Sequence, residues 1–119
     1  MHKILVIDDD TSICECLSMY LSEEGYVAET ANTGRQGLDA FLQSRADLVI
    51  LDVRLPDIDG FEVLKELKVA GKDVPVIMIS AFHDPASVTK AMKGGAFAYI
   101  PKPVNIVAME QAILDALKK

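Results

Sequence analysis

Asp8, Asp9 and Asp10 follow the apolar run Lys3-Ile4-Leu5-Val6-Ile7, and Asp52 closes a second run, Asp47-Leu48-Val49-Ile50-Leu51. Ser80 follows a third, Val74-Pro75-Val76-Ile77-Met78-Ile79, and Lys102 follows a fourth, Phe97-Ala98-Tyr99-Ile100-Pro101. Runs of this kind read as parallel strands buried on both faces. Ligands of open α/β sheets sit outside the carboxyl ends of such strands. If the strands are neighbours, Asp8, Asp9 and Asp52 crowd into one pocket with a hydroxyl and an ammonium. Like charges that close repel and resist ionising together. A fold keeps such a cluster when a cation binds there or when the carboxylates react. Hard oxygen ligands that leave several waters in place suit Mg2+. A carboxylate can also attack phosphorus and form an acyl phosphate. The transferring oxygens then need counter-charges already in place, which a metal, Lys102 and the Ser80 hydroxyl would supply.

The elements that must position these groups alternate five times. Strands are expected at 3–8, 26–31, 47–51, 74–79 and 97–100, and helices at 12–24, 34–43, 60–69, 85–93 and 105–117. This is the pattern of βαβ units and a parallel sheet. Ser12-x-x-Glu15 and Thr33-x-x-Gln36 read as capping boxes. Asp59, Asp84 before Pro85, and Asn105 read as caps of the third, fourth and fifth helices, and Asp10 as a cap of the first. Gly25, Gly71 and Gly94-Gly95 fall where helices should stop. Asp57 reads as a turn residue in Pro56-Asp57-Ile58-Asp59-Gly60. Ile13, Leu17 and Leu21, and likewise Val63, Leu64 and Leu67, read as core stripes. Right-handed crossovers with helices on both faces lead to a doubly wound α/β sheet in the order 2-1-3-4-5. The switch point of that order lies between strands one and three, the two that end in aspartates.

A length of 119 residues suits one domain, residues 1–119, with its own hydrophobic core. Half the residues are hydrophobic and a quarter charged, as in a globular protein. No apolar run approaches the ~20 residues of a membrane span. The chain enters its first strand directly after Met1-His2, so no signal peptide is expected, and the cytoplasm is the expected location. The net charge of −6 argues against direct nucleic-acid binding and suits a basic partner or a divalent cation. Cys14 and Cys16 lie two apart on a helix and point to different sides, so they should share neither a metal nor a disulfide. His2 and His83 are isolated and read as surface residues.

The motifs together resemble, from end to end, the receiver domain of two-component response regulators. They are Ile7-Asp8-Asp9-Asp10, Asp52-Val53-Arg54-Leu55-Pro56-Asp57-Ile58-Asp59-Gly60, Ser80-Ala81 and Tyr99-Ile100-Pro101-Lys102-Pro103. Each is weak alone; four in order, at the right strand ends, are specific. The resemblance implies a flavodoxin-like (βα)5 fold and a phosphorylation-activated switch. It makes Asp52 the phospho-acceptor. Asp9 would bind Mg2+ directly, Asp8 largely through water, and Arg54 through its backbone carbonyl. Ser80 matches the switch hydroxyl, Tyr99 the switch aromatic, and Lys102 the phosphate-binding lysine before a cis proline. Val104 stands where an aromatic often follows. Phe82 occupies a position the family varies, and it bears on the lifetime of the phosphorylated state.

The implied partners are a sensor histidine kinase and an output domain outside this chain. The surface of the fourth helix, fifth strand and fifth helix is the implied face of a phosphorylation-linked homodimer. The stretch from Ser80 to Val104 looks closest to receivers attached to transcription activators. Such a domain catalyses only its own phosphorylation and dephosphorylation and is not an enzyme on a foreign substrate. Two rivals are weaker. Asp8-x-Asp10-x-Ser12 imitates the signature of haloacid dehalogenase-type phosphatases, but a late acidic pair is missing and Asp52 would have no role. A flavin carrier needs a phosphate loop where three aspartates stand.

Overall fold

The structure, a computed structural model, describes residues 2–82 and 84–118. Five strands, β1 (Lys3–Ile7), β2 (Val27–Ala31), β3 (Leu48–Asp52), β4 (Val76–Ser80) and β5 (Ala98–Pro101), alternate with five helices. These are α1 (Thr11–Glu23), α2 (Gly34–Ser44), α3 (Gly60–Ala70), α4 (Pro85–Lys93) and α5 (Ile106–Leu117). All neighbouring strands pair in parallel, in the order β2-β1-β3-β4-β5. The expected fold class is the one observed, and each expected element is present with ends shifted by a residue or two.

Alternation along the strands explains the two layers. Ile4, Val6, Leu48, Ile50, Ile77 and Ile79 point to one face and pack with Leu17 and Leu21 of α1 and Met109 and Ile113 of α5. Leu5, Ile7, Val49, Leu51, Val76 and Met78 point to the other and meet Leu38, Phe41, Val63, Leu64, Leu67 and Ala91 from α2, α3 and α4. A strand buried on both faces must be apolar at every position, which is why these runs are continuous. On α1 the inward residue is Cys14, with Ile13 only partly buried. Leu17 and Leu21 are buried as expected, Ile13 packs at the edge of the same core, and Cys14 joins the stripe.

Helix starts are set by side-chain caps. Asp10 caps α1, accepting from Ser12 and Ile13 N–H, so Ser12 is already inside the helix and the expected Ser12 box does not form. Thr33 caps α2 through Gln36 N–H, while the Gln36 side chain reaches Asn32 N–H. Asp59, Asp84 and Asn105 cap α3, α4 and α5 as expected. Gly25 follows α1 at φ +92°, the left-handed conformation glycine adopts at least cost. The end of α2 carries no such signal: Arg45 takes φ +53° there. Its guanidinium donates to the Ala70 carbonyl and lies 5.5 Å from the Phe41 ring. His2 is exposed, whereas His83 lies outside the described residues. Among the described residues no helix is long and apolar enough to cross a membrane.

Candidate functional site

Register brings the polar strand ends together. Ile7 pairs with Leu51, so Asp8 and Asp52 leave the sheet side by side between β1 and β3. Ser80 pairs with Pro101, and Lys102 N–H donates to the Ser80 carbonyl at 2.7 Å, fixing where the lysine starts. The Lys102–Pro103 peptide bond is cis. Asp8 and Ser80 are fully buried and Asp52 nearly so, while Asp9 is exposed. One carboxylate oxygen from each of Asp8, Asp9 and Asp52 falls within 4.8 Å of the others.

The electrostatics follow from this crowding. Lys102 Nζ lies 3.1 Å from Asp8 Oδ2 and 3.3 Å from Asp52 Oδ1, one cation against two buried anions. Burial works against the Lys102 charge, but the close contact with Asp8 and the fields of Asp52 and Asp8 outweigh it and raise its pKa. Asp52 is pushed up to about 6, by burial first and by the Asp8 charge second; Lys102 and the Arg54 backbone N–H pull the other way. Asp8 Oδ2 accepts no aligned hydrogen bond, and its contact with Lys102 is ionic.

Asp8 is held from three sides. Its Oδ1 accepts from Asp10 N–H at 2.9 Å, and its N–H donates to the Ala31 carbonyl. Its own carbonyl accepts from Asn32 Nδ2 at 3.0 Å and from the Cys14 thiol at 3.3 Å. Burial, then the Asp8 charge, pushes the Cys14 thiol up to about 11, so it stays protonated as a donor. Asn32 was not singled out in the sequence. Its position just after β2, on the same sheet edge, is the signal that points to it.

Ser80 Oγ accepts from Phe82 N–H at 2.9 Å, and the Tyr99 hydroxyl donates to the Phe82 carbonyl. The loop after β4 is therefore tied to both expected switch residues. Arg54 stacks its guanidinium 4.2 Å from the exposed Phe82 ring, beside the pocket. The loop from Val53 to Asp59 is pinned at both ends, by Val53 N–H to the Ile79 carbonyl and by Gly60 N–H to the Val53 carbonyl. A Cβ on Gly60 would lie 2.5 Å from the Asp52 carbonyl oxygen and 2.6 Å from that of Val53, so only glycine allows this closure. Asp57 lies in a bend, as expected, and has a further role. Its carboxylate leaves its own turn and accepts from Gly34 and Arg35 N–H at the start of α2.

The donor set fits a small hard divalent cation: three carboxylates converge, and one buried oxygen lacks a hydrogen bond. Such an ion would supply the positive charge that lets two buried carboxylates stay ionised beside an incoming anion.

Comparison with known proteins places these features in a family. The sequence model of the response regulator receiver domain matches residues 4–114. The chain is 40% identical over 115 residues to the response regulator MprA of Mycolicibacterium vanbaalenii, covering 94% of this chain and 50% of that protein. It is 36% identical over 114 residues to the transcriptional regulatory protein ZraR of Klebsiella oxytoca, covering 96% of this chain and 26% of that protein. The chain thus spans half or less of these relatives' length. Its fold matches a CheY-like response regulator receiver domain protein from Methanospirillum hungatei with a TM-score of 0.94, at 32% identity, covering 98% of this chain and 94% of that one. A sheet in this order with an acidic pocket at its switch point, matched along nearly its whole length, belongs to the response regulator receiver domain family.

Proposed function

We propose that residues 1–119 form a single receiver domain that works as a phosphorylation-driven switch, with Asp52 as the acceptor. The observation that carries this reading is the Asp52 carboxylate, buried yet facing Lys102 at 3.3 Å, with oxygens of Asp8 and Asp9 close by. An Asp52 oxygen attacks the phosphorus of a kinase phosphohistidine. The P–N bond breaks, its electron pair stays on the imidazole, and that nitrogen takes up a proton. Lys102 lies where it can meet charge on the transferred oxygens. Asp8, Asp9, Asp52 and the Arg54 carbonyl are the groups we assign to Mg2+, which supplies further positive charge when bound. The Ser80 hydroxyl reorients toward the phosphoryl group and releases Phe82 N–H. The Tyr99 hydroxyl, bonded to the same residue, then has reason to move. We assign no foreign substrate to the domain, and place it in the cytoplasm with a sensor histidine kinase as donor. Its output is a further domain or partner, with transcription control as the leading case. The surface of α4, β5 and α5 is where a phosphorylation-linked homodimer would form, and the domain itself binds no nucleic acid.

The test is the backbone amide spectrum with beryllium fluoride and Mg2+, a stand-in for the phosphoryl group. Changes should run from residue 80 to residue 110 in the wild type. A hydrogen bond to a charged group contributes roughly 1.5–3 kcal/mol, whereas reversing a two-state population needs about 5.5 kcal/mol. Ser80 therefore shares the work with Lys102. Ser80→Ala should keep binding and lose much of the response, and Lys102→Ala should lose more. A full response in Ser80→Ala would remove that hydroxyl from the switch.

A further inference from the structure

We propose that Asp57 is a positioning residue for the cation pocket, acting through the loop that leaves Asp52; this rests on the metal reading above. The loop between β3 and α3 is pinned at its ends, and the stretch between carries Arg54, two residues past the acceptor. The Arg54 backbone N–H acts to lower the Asp52 pKa, and the Arg54 carbonyl is the assigned metal ligand. Leu55 and Ile58 pack that loop against the core, and a polar contact with a different element adds to their hold. Asp57 Oδ1 accepts from Gly34 N–H at 2.8 Å, and Oδ2 from Arg35 N–H at 2.9 Å. Both oxygens of one carboxylate are thus engaged by the first turn of α2, where free N–H groups and the helix dipole favour an anion.

Helix capping alone does not account for this arrangement. α2 already has its own cap, Thr33, whose Oγ1 accepts from Gln36 N–H at 3.0 Å. Arg35 is exposed, where water could serve its N–H, whereas Gly34 is buried and its N–H depends on the Asp57 carboxylate. The close fit is on the loop side. A Cβ on Gly34 would lie 3.0 Å from Val63 Cγ2, 3.2 Å from Ile58 Cβ and 3.3 Å from Asp57 Oδ1, tighter than ordinary contact. A bare glycine and a two-pronged carboxylate therefore bring the loop hard against α2. α2 in turn packs on β1 through Gly37, whose missing side chain leaves room for Ile7, the residue before Asp8. The tether fixes the Arg54 side of the pocket to the element that backs the Asp8 side.

The experiment titrates Mg2+ into the unphosphorylated chain and follows amide shifts, with melting in metal-free buffer and amide hydrogen exchange alongside. Four proteins are compared: wild type, Asp57→Ala, Asp57→Asn, which keeps one accepting oxygen, and Thr33→Ala, which weakens α2 but leaves the tether. Direct outer-shell partners of a metal change affinity by about 10–100-fold. Acting through a loop, Asp57→Ala should weaken Mg2+ by roughly three- to tenfold, Asp57→Asn by less, with faster exchange at residues 53–58 in both. Thr33→Ala should lower the melting temperature and leave Mg2+ affinity unchanged. Equal Mg2+ affinity in wild type and both Asp57 variants would overturn the tether and leave the metal assignment standing. So would an equal loss in Thr33→Ala, which would reduce the effect to helix stability. A wild type that binds no Mg2+ at Asp8, Asp9 and Asp52 would overturn the metal reading and the tether with it.

Discussion

Asp52 at about 6 and Lys102 between two carboxylates make the pocket's charge balance testable residue by residue. A carboxyl raised above its ordinary 3.8 holds its proton more tightly in the folded chain than in the unfolded one. Its protonation therefore favours folding: this contribution is full below pH 3.8 and is lost as pH rises through about 6. Asp57 and Asp84, held low by hydrogen bonds from Arg35 and Ser87, slope the opposite way. The difference between wild type and Asp52→Asn isolates the Asp52 part. Metal-free Asp52→Asn should melt above the wild type at pH 7.5, and the gap should close as pH falls below 5. A constant gap would contradict the raised pKa. Mg2+ should relieve the same repulsion, by about 2.7 kcal/mol at a hundredfold excess over its dissociation constant. Thermal melts with and without Mg2+ should show this rise, and Asp9→Asn should lose most of it. Removing one partner of a buried ion pair costs roughly 3–5 kcal/mol. Lys102 keeps 17% of its side-chain surface exposed, so metal-free Lys102→Ala should sit near the lower end by urea unfolding. At this scale the carboxylate cluster was plain in the sequence, because each member ends an apolar run. The trans role of Asp57 was not, because its partners lie 23 and 22 residues away and no local pattern reports them, and Asn32, 24 residues from Asp8, is signalled only by its place at the end of β2.

Elements turn these residues into a site by where they stop. β3 ends at Asp52, and Gly60 folds the following loop back onto the Asp52 and Val53 carbonyls. A methyl there meets backbone, which cannot rotate away, and overpacking of that kind costs about 1–3 kcal/mol. Gly60→Ala should therefore lower the melting temperature and also weaken Mg2+ binding, since the displaced atoms flank Asp52. Gly95→Ala, at φ +99° but remote from the pocket, should lower stability alone. If both variants bind Mg2+ like wild type, the loop closure does not set the site. Boundaries were readable wherever a cap residue announces them, as at Thr33, Asp59, Asp84 and Asn105. They failed at two places for identifiable reasons. Asp10 and Ser12 both have capping side chains, and the choice between them depends on where β1 releases the chain. Arg45 ends α2 in a left-handed conformation without glycine, supported by its long-range bond to Ala70, which local sequence does not display.

For the whole molecule, two cores on opposite faces hold the sheet while its carboxyl edge stays polar. That division lets one edge rearrange without unfolding the rest. On the reading proposed above, this edge receives a phosphoryl group at Asp52. The most direct measurement is rapid acid quench and peptide mapping by mass spectrometry after exposure to a small acyl phosphate with Mg2+. One phosphoryl group, labile to base and hydroxylamine, is expected on the peptide containing Asp52, and none in Asp52→Asn. Phosphate on Asp8, or undiminished uptake by Asp52→Asn, would contradict that reading.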